Sequence, residues 1–440
     1  MTDLSFKRIL AEKLADSLQG PLVLGTSRTL PSRLVFPEKA TAIIGMRRAG
    51  KTTLLHQIRQ NWMDQGHLRE QVPFLNFEDE RLVGLEGRHL HLLLEEYYRL
   101  YPSWRGQHGV LWCLDEVQVV PGWEQFVRRV LDSERVQVYV TGSSAALLSR
   151  ELATSMRGRA WQVVLHPFSF SEYLRHHLAD QAKAYPLTAA QRSLLERAFL
   201  DYLASGGFPE AQGLTTAARF QLLRDYVDVA ILRDVVDRHR VSNVVGLRWL
   251  VRHLLSNAAG SFSVEKFYAA LKSQGISISK DTVHQLLGHL EDCFLIRTVW
   301  VEAESERRRM VNPRKCYPID PGLIPVFDRT GRGNLGHALE SAVFLELERR
   351  GWEVTYVRNP SGTEVDFLAC PPGGRPELLQ VCADASYPDT QARELRALDD
   401  ASQSHPEASK RLLVMTQDGL PSRVPDDVVC QTAYEWMLED

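Results

Sequence analysis

The segment at residues 45–52 reads GMRRAGKT and matches the phosphate-binding pattern GxxxxGK[ST]. Its glycines let the backbone curl so that successive N–H groups point at phosphate oxygens, and the N-terminus of a following helix adds partial positive charge. In this pattern Lys51 reaches the β- and γ-phosphates of a nucleotide, and Thr52 offers its hydroxyl to Mg²⁺. The residues expected to line the nucleotide are Gly45, Arg47, Arg48, Ala49, Gly50, Lys51, Thr52 and Thr53.

The segments around this loop predict the elements that would position it. A short apolar run at residues 41–44 precedes it, and an amphipathic stretch at residues 53–62 follows. A second apolar run at residues 72–77 and a helical pattern at residues 90–101 continue the alternation. Such a βαβ rhythm predicts an α/β domain with a parallel sheet.

A second acidic element lies at residues 110–116, where the apolar run VLWCL ends in Asp115 and Glu116. After a phosphate-binding loop, this pattern is typical of a Walker B strand. Asp115 would hold Mg²⁺ through its water shell, and Glu116 would polarise the attacking water. The alternative is an acidic strand end in contact with solvent.

Two further segments supply candidate catalytic side chains. The alternating run at residues 136–140 leads into Thr141 and Ser143, either of which could orient water between the Walker B acid and the γ-phosphate. The alternative, a helix N-cap by Ser143 or Ser144, is compatible with that role. Arg157 and Arg159 precede a predicted strand at residues 161–165, where a subunit can offer an arginine to its neighbour's nucleotide. We favour Arg159; the alternative is a solvated arginine.

The wording and order of these motifs resemble prokaryotic AAA+-type (AAA/STAND-like) P-loop ATPases that carry a winged helix and a C-terminal restriction-endonuclease-like domain. The matching stretches are residues 45–53, 114–118 with 121–123, 141–144, 157–159 with 167–172, 206–210 and 312–320. The resemblance implies five regions, with boundaries at 1–40, 41–166, 167–240, 241–330 and 331–440. They are an N-terminal extension of open role, the ATPase core, a helical lid, a winged helix and the nuclease-like domain.

In the lid, Gly207 and Pro209 would place the element GGFP against the nucleotide. The alternative is a helix stop, because glycine ends helices and proline prevents their restart.

Residues 262–301 read as two helices followed by a strand, with Ser279 capping the second helix. We interpret this order as a winged helix, in which a basic loop between two strands would grip a phosphate backbone. The alternative is a solvated hairpin tip beside several glutamates. The candidate DNA contacts are Lys280, Arg307, Arg308, Arg309, Arg314 and Lys315.

The C-terminal region resembles a restriction-endonuclease core with departures from its pattern. Glu340 and Asp366 match the helix glutamate and the strand aspartate, but Gln380 stands where the second acid belongs and Cys382 where the lysine belongs. An amide is a poorer ligand for a hard dication than a carboxylate, and a thiol cannot act as an ammonium. We therefore expect a scaffold or a DNA- or partner-binding module rather than a nuclease, with weak cleavage as the alternative.

Composition bounds the remaining choices. The chain has 440 residues, a net charge of −3 and six scattered cysteines, which predicts several domains, local rather than global basic patches and a reducing cytoplasm. No apolar run is long enough to suggest a membrane span. Our leading hypothesis is a ring-forming ATPase, most often a hexamer, that uses ATP and Mg²⁺ to remodel or move along DNA. The alternatives are a STAND-like switch acting on a protein partner and an ATP-regulated nuclease.

Overall fold

The structure, a computed structural model, describes residues 3–29, 38–107, 109–143, 156, 158–178, 188–328, 334–359 and 361–439. The chain divides into two compact units, Met1–Leu165 and His166–Asp440.

A five-stranded parallel sheet forms the centre of the first unit. Its strands, in the spatial order β2-β3-β4-β1-β5, are β1 (Ala40–Ile44), β2 (Phe74–Asn76), β3 (Val110–Asp115), β4 (Val136–Gly142) and β5 (Ala160–Val164). Every residue of β1 and β3 is buried, as expected for parallel strands covered on both faces. The predicted α/β class with a parallel sheet is therefore confirmed for this unit.

Within the described residues, four α-helices accompany this sheet: α1 (Asp3–Gln19), α2 (Lys51–Asp64), α3 (His91–Leu100) and α4 (Trp123–Ser133). Helix α1 was not predicted, although Phe6, Leu10 and Leu14 recur at helical spacing and are buried. The buried core around α2 and the sheet includes Ile43, Leu54, Leu55, Val72, Leu111, Cys113 and Tyr139.

The second unit begins with helices. They are α5 (Phe170–Leu178), α6 (Ala189–Ser205), α7 (Thr216–Val229), a π-helix (Ala230–Asp237), α8 (Val244–Ser256), α9 (Val264–Ser273) and α10 (Lys280–Asp292). The hydroxyl of Ser279 accepts the N–H of Thr282 at the start of α10, which confirms the predicted cap.

A three-stranded antiparallel sheet follows, in the order β6-β8-β7. Its strands are β6 (Ser261–Phe262), β7 (Ile296–Val299) and β8 (Arg314–Pro318). The prediction of a basic loop between the last two strands is wrong in one respect. Residues Glu306–Val311 form a short helix, α11, which is capped by Ser305.

In the C-terminal part, the residues that the structure describes form a mixed sheet and four α-helices. The strands are β9 (Glu353–Arg358), β10 (Glu364–Cys370), β11 (Glu377–Cys382), β12 (Ser409–Val414) and β13 (Val428–Thr432). The helices are α12 (Leu323–Phe327), α13 (Leu335–Arg349), α14 (Pro388–Ser404) and α15 (Ala433–Met437). The order is β13-β12-β11-β10-β9, with β9, β10 and β11 antiparallel and β11, β12 and β13 parallel. Its core includes Val365, Leu378, Leu398, Ala401, Leu412 and Val414.

Among the described residues, no helix is both long enough and apolar enough to cross a membrane.

Candidate functional site

The phosphate-binding loop joins β1 to α2, and two of its glycines adopt conformations that other residues disfavour. Gly45 has a φ of 153°, and a Cβ there would lie 2.2 Å from the carbonyl oxygen of Leu165. Gly50 caps α2 with a φ of 98°. A side chain at either position would strain the loop.

Lys51, the first residue of α2, folds back over this loop. Its Nζ donates to the carbonyl oxygens of Gly45 at 3.1 Å and Met46 at 3.3 Å, and the side chain is buried. The ammonium therefore lies inside the loop, at the position predicted for contact with nucleotide phosphates.

Asp115 at the end of β3 is held between two threonine hydroxyls. Thr52 Oγ1 donates to its Oδ2 at 2.8 Å, and Thr141 Oγ1 donates to its Oδ1 at 2.6 Å. Burial, together with the nearby Glu116 carboxylate, raises the pKa of Asp115 to about 6, although the two hydrogen bonds lower it. Parallel strands β1, β3 and β4 thus bring the predicted Mg²⁺ residues together at one edge of the sheet.

Glu116 follows Asp115 in a left-handed conformation with a φ of 52°. Its Oε1 lies 3.5 Å from Lys51 Nζ, and its Oε2 accepts a hydrogen bond from Gln118 Nε2. Burial alone would raise the pKa of Glu116, but the Lys51 ammonium and the Gln118 amide lower it overall. Glu116 is therefore an ionised carboxylate, as polarisation of water requires.

Of the two predicted hydroxyl residues, Thr141 contacts the acidic pair. Besides its bond to Asp115, its Oγ1 accepts the backbone N–H of Glu116 at 2.9 Å. Ser143 is buried nearby on the same chain segment, and Ser144 lies outside the described residues.

The other loop residues face different partners. Arg47 Nη1 donates to Glu78 Oε1 at 2.7 Å, and Arg48 is exposed with a φ of 68°. The carbonyl oxygen of Ala49 accepts from Arg28 Nη1 at 2.7 Å. A Cβ at Gly25 would lie 3.2 Å from the methyl carbon of Thr53.

Arg28, like Gln118, belongs to a layer of supporting residues that the motifs did not identify. Gln57 on α2 donates to the carbonyl oxygen of Thr26 at 2.8 Å and accepts the N–H of Arg28 at 3.1 Å. The segment before β1 therefore lies along α2 beside the phosphate-binding loop. The sequence shows an arginine there, but nothing in its spacing indicates this contact.

Arg159 forms an ion pair with Asp132 of α4 within its own chain. Its side chain is 41% exposed. Arg157 lies outside the described residues.

In the second unit, the predicted lid element forms a helix stop. Helix α6 ends at Gly206, which has a φ of 76°, and Pro209 opens a 3₁₀ turn. Asp320 Oδ2 accepts the N–H of Gly207 at 2.6 Å, and its Oδ1 accepts the N–H of Gly322 at 2.8 Å. The alternative of a helix stop is confirmed, and a nucleotide contact by Gly207 or Pro209 stays a prediction.

The six basic residues predicted to contact DNA have unequal surroundings. Arg307 and Arg308 are exposed on α11. Arg309 Nη1 lies 3.2 Å from Glu306 Oε1, and Lys280 Nζ lies 2.6 Å from Glu265 Oε2.

For Lys315 the prediction of a DNA contact is wrong, whereas for partly exposed Arg314 it stays a prediction. The Arg314 guanidinium stacks on the Trp300 ring, 3.6 Å from its centroid, and Lys315 is buried among carboxylates. Neighbouring residues of a strand point to opposite faces, and the face that carries Lys315 is buried and not open to a phosphate backbone.

The predicted nuclease residues lie in one part of the second unit. Lys315 Nζ contacts Glu340 Oε1 at 3.0 Å and Asp366 Oδ1 at 2.8 Å. Gln380 Nε2 donates to Glu394 Oε2 at 2.7 Å, and the Cys382 thiol donates to the carbonyl oxygen of Asp384 at 3.3 Å.

The parallel sheet and the loop that follows β1 define a P-loop fold in the first unit. A family described as AAA domain matches residues 37–174, and a domain of unknown function, DUF8612, matches residues 196–331. The chain is 31% identical to the uncharacterized protein MJ1544 of Methanocaldococcus jannaschii over 401 residues, 90% of this chain and 85% of that protein, and belongs to the same family.

Two further similarities were found. An uncharacterized protein of Haemophilus influenzae is 29% identical over 328 residues, 74% of this chain and 78% of that protein. The solved structure of the Walker-type ATPase PABY2304 of Pyrococcus abyssi aligns with 73% of this chain and 95% of its own, at 17% identity and a TM-score of 0.39.

Proposed function

We propose that this chain is a Mg²⁺-dependent ATPase. The observation that carries the proposal is the pairing of two acids beside the phosphate-binding loop. Asp115 is held by Thr52 and Thr141, and Glu116 lies next to Lys51. This donor set fits Mg²⁺, because Thr52 and Asp115 offer the hard oxygen atoms that the ion prefers. When bound there, Mg²⁺ would neutralise charge on the β- and γ-phosphates.

Each remaining residue has a role in this proposal. Lys51 neutralises phosphate charge from inside the loop. Glu116 accepts a hydrogen bond from an attacking water, and Gln118 holds its second oxygen in place. Thr141 fixes both the Asp115 carboxylate and the Glu116 backbone. Arg159 would act on the nucleotide of a neighbouring subunit in a homo-oligomeric ring, most often a hexamer, after releasing Asp132.

We further propose that hydrolysis drives remodelling of DNA or movement along it. The element order α8-β6-α9-α10-β7-β8 supports a winged helix, because three helices and an antiparallel three-stranded sheet make up that module. Arg307 and Arg308 are exposed on α11 between the last two strands, where a wing would contact phosphates.

The decisive experiment measures ATP hydrolysis with no DNA and with duplex, single-stranded or branched DNA. Glu116→Gln should bind ATP but hydrolyse it at least roughly 100-fold more slowly, because an amide does not polarise water as a carboxylate does. Glu95→Gln, an exposed acid on α3, is the matched control and should retain the wild-type rate. Normal hydrolysis by Glu116→Gln would contradict the assignment of this residue.

A second candidate function is a switch in which ATP holds a surface for a protein partner. It is favoured by the net charge of −3 and by the ion pairs that already neutralise Lys280 and Arg309. Strong stimulation by one DNA form would support the DNA motor and identify its substrate class. A rate that no DNA changes would favour the protein switch.

A further inference from the structure

Lys315 is a cation enclosed by three carboxylates in the second unit. It lies on β8, and only 4% of its surface is exposed. Its Nζ lies 2.8 Å from Asp366 Oδ1, 3.0 Å from Glu340 Oε1 and 3.0 Å from Glu364 Oε1. The ammonium donates hydrogen bonds to Glu340 and Asp366, and the Glu364 carboxylate forms an ion pair with it.

The three carboxylates come from two elements and have further partners of their own. Glu340 lies on α13, while Glu364 and Asp366 are two residues apart on β10. The backbone N–H of Val381 donates to Asp366 Oδ2 at 3.0 Å. Tyr317, two residues after Lys315, donates its hydroxyl to Glu340 Oε1 at 2.8 Å.

The charges of Lys315 and its three carboxylates affect one another's protonation. Burial and the nearby Asp366 carboxylate raise the pKa of Glu340 to about 7, although Lys315 opposes that shift. Burial alone would lower the pKa of Lys315, but the Asp366, Glu340 and Glu364 carboxylates raise it well above its usual value. The lysine is therefore charged at neutral pH, and it is the cation around which the acids converge.

The remaining residues do not fit the Mg²⁺ centre that the nuclease resemblance implies. Gln380 uses its amide oxygen for the N–H of Asp366 at 3.3 Å and its amide nitrogen for Glu394. Burial, with the Glu394 carboxylate, raises the pKa of the Cys382 thiol to about 11, so this side chain is neutral. A divalent ion at the carboxylates would have to displace the Lys315 ammonium.

We propose that Lys315 is a built-in cation that takes the place of a divalent metal ion among Glu340, Glu364 and Asp366. It thereby ties the three-stranded sheet to the C-terminal sheet, and the centre does not cleave nucleic acid. This proposal does not depend on the ATPase activity.

The surrounding backbone supports a connecting role. Past the end of β7, the N–H of Glu302 donates to the carbonyl oxygen of Tyr356 on β9 at 2.7 Å. In return, the N–H of Tyr356 donates to the carbonyl oxygen of Trp300 at 3.0 Å. The Tyr356 hydroxyl donates to the carbonyl oxygen of Pro313, just before β8. Lys315 thus adds a charged contact to a junction that backbone pairing has already aligned.

The test titrates Mn²⁺ alone, up to about 1 mM, the weak end of divalent-cation sites in proteins, into the nucleotide-free full chain. Bound ion is followed by electron paramagnetic resonance. The four proteins are the wild type, Asp366→Asn, Lys315→Met and the double variant. The Mn²⁺ bound by Asp366→Asn is subtracted from that bound by the wild type, and the Mn²⁺ bound by the double variant is subtracted from that bound by Lys315→Met. Each difference excludes Mn²⁺ bound at Asp115 and reports only the binding that depends on Asp366.

We expect the wild type to show no Asp366-dependent Mn²⁺ binding and Lys315→Met to gain one such site. Loss of one partner from a buried ion pair should lower the thermal midpoint of Lys315→Met by roughly 6–15 °C, and Mn²⁺ should restore part of it. Lys280→Met removes an exposed lysine paired with Glu265 and should change the midpoint by at most about 2 °C.

Two results would overturn the proposal. The first is Asp366-dependent Mn²⁺ binding by the wild type, or plasmid nicking that Asp366→Asn abolishes, since Lys315 would then be part of a metal-dependent nuclease. The second is a folded Lys315→Met that keeps the wild-type midpoint and binds no additional Mn²⁺. If Lys315→Met does not fold, the comparison of wild type with Asp366→Asn still decides, because it requires no change at Lys315.

Discussion

At the scale of single residues, neighbouring acids of the first unit have opposite electrostatic surroundings. Burial raises the pKa of Asp115, whereas the Lys51 ammonium lowers that of Glu116 despite its burial. Hydroxyl groups hold the first carboxylate and an amide holds the second. This difference suits the separate roles proposed for the two acids, metal binding by Asp115 and water activation by Glu116.

Removing the ammonium should disable nucleotide binding. Lys51→Ala should weaken ATP affinity by roughly 10–100-fold, the range expected when a charge-assisted hydrogen bond is lost. Isothermal titration with ATP and Mg²⁺ measures the effect. The control Lys272→Ala removes an exposed lysine of α9 and should leave ATP affinity unchanged. If Lys51→Ala binds ATP as tightly as the wild type, the assignment of the nucleotide site is wrong.

Residue spacing predicted the phosphate-binding loop and the acidic pair, because a short motif dictates their local geometry. Supporting contacts such as Gln118 to Glu116 and Arg28 to Ala49 were not predictable in this way. Lys315 illustrates the reason. The sequence shows two adjacent basic residues at 314 and 315, but only the strand register decides that one stacks on a ring and the other enters an acidic cluster.

At the scale of elements, the junction after α6 depends on the absence of a side chain at Gly206. A Cβ there would lie 1.7 Å from Asp320 Oδ1, the carboxylate that also accepts backbone N–H groups of Gly207 and Gly322. Burial raises the pKa of Asp320 to about 6 against those hydrogen bonds. The turn and the buried acid therefore stabilise each other.

A pair of glycine substitutions tests the combined effect of this clash and the backbone conformation of Gly206. Gly206→Ala should lower the thermal midpoint by roughly 6–12 °C, because it adds the clash to the cost of alanine at a φ of 76° and a ψ of −174°, a region that essentially only glycine adopts. Gly213 has a similar φ of 73° and open space at its Cβ. Gly213→Ala should therefore cost only roughly 2–4 °C, and equal shifts in calorimetry would rule out the clash.

The contact between the π-helix segment and α10 should make stability depend on pH. His239 stacks on His289 with ring centroids 3.7 Å apart, and its Nε2 is buried without a hydrogen-bond partner among the described residues. Burial, followed by the charges of His289 and Arg238, lowers the pKa of His239 to about 4. The unfolded chain binds this proton more readily, so the stabilisation is complete above pH 6.5 and is lost as the pH falls towards 4.

Thermal midpoints between pH 4.5 and 7.5 test this contact. The wild type should lose roughly 2–4 °C from this group on acidification, and His239→Gln should flatten the profile. His284→Gln removes an exposed histidine from α10, the helix that carries His289. This control should leave the pH profile unchanged. A profile with the same slope in His239→Gln would assign the pH dependence to other groups.

Element prediction succeeded where periodicity or a capping residue marked the boundary, as at Ser279, and failed at α11. There, a run of arginines suggested a loop, although Ser305 before Glu306 is a helix-start signal and basic residues suit a last turn. Helix α1 was not predicted, because it contains no functional motif and its apolar periodicity is the only signal for it.

At the scale of the whole molecule, the near-neutral charge of −3 means that the proposed DNA binding would have to use local basic patches. Several candidate basic residues are already paired with glutamates or buried, which leaves the exposed arginines of α11 as the main candidates. Their contribution should be electrostatic and independent of sequence, since arginine–phosphate contacts carry no base information.

Replacing Arg307 and Arg308 by alanine should reduce DNA affinity roughly uniformly across sequences and lower the salt slope of binding by about 2. Fluorescence anisotropy over a range of salt concentrations measures both quantities. The matched control replaces Arg8 and Arg88, exposed arginines of the first unit that each face a nearby glutamate. An unchanged slope in the α11 variant would place DNA binding elsewhere.

The π-helix at Ala230–Asp237 limits how the gene can change in length. Each of its i→i+5 turns holds more residues than an α-helical turn. Loss of a single codon could return the segment to α-helical winding, which would remove the wide turns and change the position of His239 relative to His289. We therefore expect single-residue insertions and deletions among relatives to fall in exposed loops and to spare residues 230–239.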